Sequence, residues 1–178
     1  MSVTGNTALR FSEEQAMLLD VARSFCRDRS PITAVRGQLE SETGFDAALW
    51  QEMVALGWPG ITLPEACGGS GLGVAGVVPV IESMGRAMLG TPLISTTLAA
   101  QLLLRAAGPG QQESALAEIA SGAPATVALL ENGDWGNERL ACTVDGDGVL
   151  RGAKQVVTDA GVAQIFVVAV RAVRGTRM

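Results

Sequence analysis

The chain has 178 residues, of which 48% are hydrophobic and 17% charged, and a formal net charge of −5. That composition supports a packed core and argues against intrinsic disorder, while the acidic balance excludes the basic footprint that nucleic-acid binding requires. It contains no histidine and no tyrosine, so a Ser-His-Asp triad, a Cys-His pair and a histidine-ligated metal are all impossible within it.

The start, Met1 to Asn6, lacks a basic region leading into an apolar run, so no secretory signal is read there. No apolar stretch reaches the ~18 residues of a membrane span. Cys26, Cys67 and Cys142 are odd in number, far apart and free of a CxxC pair. No disulfide framework or zinc site is expected, and a reducing cytoplasm is the default location.

Ser12-Glu13-Glu14-Gln15 reads as a capping box opening a first helix, with apolar residues at Met17, Leu18, Val21, Ala22 and Phe25 in helical spacing. Pro31 is expected to stop it. Gln38 to Gly44 reads as loop, and Asp46 as the cap of a second helix over Ala47–Leu56, ended by Gly57. From Trp58 to Gly73 glycine and proline break any regular element, with a short extended piece at Ile61–Pro64 and a turn at Cys67–Gly71. A third helix is expected over Val74–Met88. A fourth, over Leu93–Ala107, is apolar nearly all round and reads as a core helix. A fifth spans Gln111–Ala120.

The texture then changes. Thr126–Leu130 is a candidate strand; Ala141–Val144 and Val149–Arg151 flank the turn Asp145-Gly146-Asp147-Gly148 as a hairpin; Gln155–Thr158 and Gln164–Val170 are further candidates. Helices followed by strands imply an α+β fold: an all-α domain over residues 10–122, a partial antiparallel β-domain over 123–171, and a disordered tail over 172–178. The sheet reads as unfinished, because so few strands leave exposed edges, and either a truncation or a tail from reading-frame loss is expected.

Several segments resemble the acyl-CoA dehydrogenase family in the right order. Leu56-Gly57-Trp58-Pro59-Gly60-Ile61-Thr62-Leu63-Pro64-Glu65-Ala66-Cys67-Gly68-Gly69 is similar to its leucine-glycine, glycine-isoleucine-x-x-proline-glutamate and glycine-pair segment. Phe11–Gln15 resembles its usual opening, and Glu82-Ser83-Met84-Gly85-Arg86 its glutamate-x-x-glycine-arginine pattern. Gly152-Ala153-Lys154-Gln155-Val156-Val157-Thr158-Asp159-Ala160 is similar to its glycine-x-lysine-x-tryptophan-x-threonine-or-serine-asparagine-glycine segment.

The resemblance implies a helical domain, a middle β-domain and a carboxyl-terminal four-helix bundle, the last without a counterpart in this chain. It implies FAD as cofactor, an acyl-CoA thioester as substrate and an electron-transfer flavoprotein as acceptor. It also implies assembly with like or unlike acyl-CoA dehydrogenase subunits. The family's catalytic base is a glutamate of the last domain, so no catalytic residue is expected here. By the same resemblance Thr158 carries the hydroxyl that hydrogen-bonds the flavin. Val156 stands where a tryptophan packs on it, and Leu130 replaces a contacting threonine. Glu131 matches the family, whereas Asn132 and Gly133–Gly136 depart from it. Ser95, Thr96 and Ala99 fall on the helix that lines the acyl cavity, and Gly90–Thr96 resembles a branch built from unlike subunits in sterol side-chain breakdown. The alternative is a non-catalytic structural subunit.

Other polar features read as structural. Glu65 caps a turn or pairs with an arginine, and Arg86 is a helix-end salt-bridge residue. Gly68–Gly71 is a turn of positive φ, because it lacks the spacing of a phosphate loop.

Overall fold

The computed structural model describes residues 11–106, 108, 111–131 and 140–172. Helix α1 spans Glu13–Arg29. Its capping box forms: Gln15 N–H donates to Ser12 Oγ at 3.2 Å, and Ser12 N–H donates to Gln15 Oε1 at 2.9 Å. Pro31 ends α1 but also opens α2, Ile32–Leu39, because its fixed φ suits a helix start. The sequence reading has no such helix. It buries no residue, and so carries little of the periodicity that reveals one.

Helix α3 spans Ala47–Ala55, capped by Asp46 through Ala48 N–H at 2.8 Å and Leu49 N–H at 3.3 Å. Gly57, at φ 74°, turns the chain into a 3₁₀ turn at Trp58–Gly60, and a second follows at Glu65–Cys67. The extended piece expected at Ile61–Pro64 is instead compact. Leu63 N–H donates to Gly60 O at 3.0 Å and Leu72 N–H to Ile61 O at 3.1 Å, so successive turns fold back on one another. Gly69 is forced by that packing, since a Cβ there would collide with the Leu63 carbonyl. Glu65 makes no ion pair among the described residues.

Helix α4 is Gly73–Ala87, α5 Leu93–Ala106 and α6 Gln111–Ala120. Helices α1 and α4 lie parallel. Gln15 Nε2 donates to Ala75 O at 2.8 Å near their starts, and Ser30 Oγ to Ala87 O at 3.0 Å at their ends. Between them and α3 sits the first core, which includes Ala22, Trp50, Met53, Trp58, Val80, Met84 and Leu93. Phe25 meets Trp58 edge-on, with ring centroids 4.9 Å apart.

The second core joins helices to sheet: Leu63, Ala99, Ala100, Leu116, Ile119 and Ala125 pack together, with Val127, Ile165 and Val167 against them. Strand β1, Ala125–Ala128, pairs in parallel with the later strand Ile165–Val168. Between them in sequence, β2 (Thr143–Val144) and β3 (Leu150–Arg151) form the expected hairpin. Its turn is fixed by Asp145 Oδ1, which accepts from Asp147 N–H at 3.1 Å and Val149 N–H at 2.9 Å. Ile165–Val168 is therefore β4, and Arg171–Ala172, β5, pairs in parallel with β2.

The α+β class holds. Within it, the antiparallel pairing expected of the whole sheet is confined to β2–β3. The other pairs are parallel because β4 and β5 return along β1 and β2 after long connections. Gln155–Thr158 forms no strand, since Val156 (φ 51°) and Asp159 (φ 55°) lie in the left-handed region and bend the chain into a turn. Ala172, assigned to the tail from sequence, belongs to β5; residues 173–178 lie outside the described part.

Candidate functional site

Helix α5 is not buried all round. After the buried Leu93 it buries its small residues, Ser95, Thr96, Thr97, Ala99 and Ala100, and leaves the large Ile94 49% and Leu98 57% exposed. This inversion follows from what α5 meets. Close approach to β1 needs small side chains, so the aliphatic stripe Ile94, Leu98 and Leu102 is left facing a hollow.

That hollow is a cavity of about 440 Å³ lined by Leu98, Leu102, Val127, Leu129, Leu130, Val156 and Thr158. A smaller chamber of about 110 Å³ adjoins it, lined by Ile94, Ser95, Leu98, Thr126, Val127 and Thr158. Leu98, Val127 and Thr158 border both. The three residues assigned from sequence to a cofactor, Leu130, Val156 and Thr158, thus stand on one cavity although 28 positions separate the first from the last.

The polar chemistry of this cavity is sparse. The Thr158 carbonyl accepts from Thr126 Oγ1 at 2.5 Å, while the Thr158 hydroxyl and N–H bond to no described residue. Thr158 is the one described lining residue with a polar side chain, and a wall of that make-up suits a flat apolar ring with a hydrogen-bonding edge.

The residues assigned to substrate divide. Ser95 lines the small chamber, and its hydroxyl lies 2.6 Å from Asp159 Oδ2 and 3.1 Å from Pro92 O. Thr96 is fully buried, its Oγ1 accepting from Ala125 N–H at 3.0 Å, so it fastens α5 to β1. Ala99 is fully buried in the second core. Neither lines the two chambers.

An ion pair adjoins the lining residues Leu129 and Leu130 in the chain. Lys154 Nζ reaches Glu131 Oε1 at 2.5 Å and Leu129 O at 3.2 Å. Glu131 also accepts from Ala141 N–H at 2.6 Å and Cys142 N–H at 3.1 Å. The Lys154 ammonium foremost, then these amides, hold the Glu131 carboxyl below its ordinary pKa against the opposing effect of burial. Gln155 N–H donates to Leu130 O at 2.9 Å. That one backbone bond, next to the ion pair, keeps Leu130 close to Val156. Asn132 and Gly133–Gly136 lie outside the described residues.

Sequence reasoning did not single out Leu98, Leu102, Val127 or Asp159. The first three look like any core aliphatic residue. Asp159 did carry a signal, an acid where the resembling segment has asparagine. Among the described residues no cluster of three metal-ligating side chains occurs, and no helix is long and apolar enough to cross a membrane. A broader depression of about 560 Å³, lined by Gln51, Ser114, Glu118 and Gln164 among others, carries none of the expected residues.

Residues 12–123 match the model of the acyl-CoA dehydrogenase amino-terminal domain. The chain belongs to the acyl-CoA dehydrogenase family. It is 34% identical over 137 residues to the acyl-CoA dehydrogenase IpdE2 of Mycobacterium tuberculosis, covering 74% of this chain and 42% of that relative. Among solved acyl-CoA dehydrogenases, a variant of the Tcur3481–Tcur3483 steroid ACAD superposes with a TM-score of 0.80 at 33% identity, over 90% of this chain and 45% of that one. The ChsE4–ChsE5 complex of Mycobacterium tuberculosis superposes at 0.79 with 26% identity, over 92% and 45%. The chain thus spans less than half the length of these acyl-CoA dehydrogenases.

Proposed function

We propose that this chain is the amino-terminal part of a subunit of an FAD-dependent acyl-CoA dehydrogenase that introduces an α,β double bond into an acyl-CoA thioester of fatty-acid or sterol side-chain catabolism. The observation that carries the reading is the meeting of Leu130, Val156 and Thr158 on one aliphatic cavity whose free polar groups include the Thr158 hydroxyl and amide. When bound, FAD supplies the acceptor for the substrate's β-hydride. Thr158 would hold the edge of its ring where negative charge develops, and Leu130 and Val156 would exclude water from its face. Ser95 stands beside the acyl group, on a helix that Thr96 and Ala99 seat against the sheet. The proton is taken by a base outside this chain, and electrons pass to an electron-transfer flavoprotein.

Likeness to a steroid ACAD and to a complex of two ChsE chains supports an unlike acyl-CoA dehydrogenase partner for the whole subunit. Co-expressing the chain with candidate partner subunits and recording the visible spectrum of the purified complex tests the reading. A flavin band that weakens in Thr158→Val, roughly tenfold in affinity for one lost charge-bearing hydrogen bond, supports it. A colourless complex overturns it and leaves a structural subunit. That second reading has its own support in the aliphatic residues at positions 130 and 156, with Val156 84% exposed and offering no aromatic surface.

A further inference from the structure

The turn after Lys154 is strained. Val156 is β-branched yet sits at φ 51°, a conformation that its side chain opposes and that survives only where surrounding contacts over-determine it. Val156 is itself exposed, so its own packing does not hold it there. What fixes the turn is a set of anchors on either side. Gln155 N–H is held by Leu130 O at 2.9 Å, and the Thr158 carbonyl by Thr126 Oγ1 at 2.5 Å. The exit is held at Asp159, whose carbonyl accepts from Val162 N–H at 3.1 Å and Ala163 N–H at 3.0 Å. Its carboxylate accepts from Ser95 Oγ at 2.6 Å, 64 positions away on α5. Among the described residues this is the one side-chain bond between the turn and α5.

We infer that Asp159 is a positioning residue: its carboxylate, gripped by Ser95, locks the strained turn to α5 and so aims the Thr158 hydroxyl and amide into the cavity. The geometry explains why the carboxylate matters. Aspartate tolerates the left-handed region at φ 55°, and an ionised acceptor makes a shorter, stronger bond than a neutral one. Ser95 commits its proton to that bond, which makes it part of the frame as well as of the chamber wall. The inference deepens the proposed function by naming a residue that orients Thr158, and it rests on that reading only for the consequence in flavin binding.

The test compares Asp159→Ala, Asp159→Asn and Ser95→Ala in nitrogen-15-labelled chain. Asp159→Ala and Ser95→Ala are expected to shift or broaden the amide resonances of Val156, Val157 and Thr158, while Ala22 and Met84 in the first core stay in place. Asp159→Asn keeps left-handed tolerance and a weaker acceptor, and is expected to displace the turn resonances much less than Asp159→Ala does. In the assembled flavoprotein, Asp159→Ala is expected to weaken flavin binding roughly tenfold and Asp159→Asn far less. Unmoved turn resonances in Asp159→Ala, or equal displacement in Ala and Asn variants, overturn the inference. Absence of flavin from the wild-type complex overturns the flavin reading instead, and the resonance comparison still decides the role of Asp159.

Discussion

Lys154 and Glu131 form an ion pair at 2.5 Å whose side chains are only 8% and 7% exposed. The pair ties the stretch that follows β1 to the segment that carries Val156 and Thr158, while the same carboxylate holds the amides leading into β2. Removing one partner leaves a buried charge without its counter-ion, which costs more than the pair contributes. Lys154→Met and Glu131→Gln are each expected to lower the thermal midpoint. The double variant should be less destabilised than the sum of the two. Additive losses in a double-mutant cycle would show that the two side chains act separately.

The depressed pKa of Glu131 gives this pair a pH signature. A group whose pKa is lower folded than unfolded contributes stability that is present above the unfolded value and lost as pH falls through the folded one. Stability is therefore expected to decline from about pH 5 downward, the range in which an unfolded glutamate takes up a proton. Glu14, lowered by its own helix-start amide and then by Ser12, and Asp28, lowered chiefly by Arg27, are exposed and screened. Denaturant midpoints measured against pH should accordingly flatten most in Glu131→Gln. An unchanged acid limb in that variant would assign the dependence to other carboxylates.

Burial pushes the Cys26 thiol up to about 11, and Cys142 is also buried, whereas Cys67 is partly exposed. Thiolate is the reactive form, and it must be reachable. Iodoacetamide at mildly alkaline pH is expected to label Cys67 first, leaving Cys26 and Cys142 unmodified until denaturant is added. Peptide mass spectrometry reads the order directly, and early labelling of Cys26 would mean that the α1–α4 contact opens readily.

Thr62 is 6% exposed, and its hydroxyl finds no partner. Its carbonyl receives Gln101 Nε2 at 3.5 Å, a contact that a side-chain change leaves intact. Thr62→Val replaces an unsatisfied buried hydroxyl with a methyl group of similar shape, and is expected to stabilise the chain by about 1 kcal/mol. Urea denaturation measures the change, and a destabilised variant would reveal a bridging water at that hydroxyl.

Much of the helical part was legible before any coordinates. The Ser12–Gln15 box, the Asp46 cap and the glycine at 57 act through neighbours within a few residues, so their effects can be read locally. Helix α2 escaped notice because it buries nothing. The strand expected at Gln155–Thr158 failed because a β-branched run signals extension, while long-range anchors at Leu130, Thr126 and Ser95 impose a turn.

By itself the sequence determined the α+β order and the family, because capping, periodicity and motif spacing are properties of consecutive residues. Only the tertiary structure decided that β1 and β4 run parallel, that α5 turns its aliphatic stripe toward a cavity, and that Thr96 and Ala99 face the core while Ser95 faces a chamber. It also decided that Asp159 meets Ser95. Such pairings depend on how chain segments tens of residues apart pack against one another, and composition and spacing do not encode that contact in any local pattern.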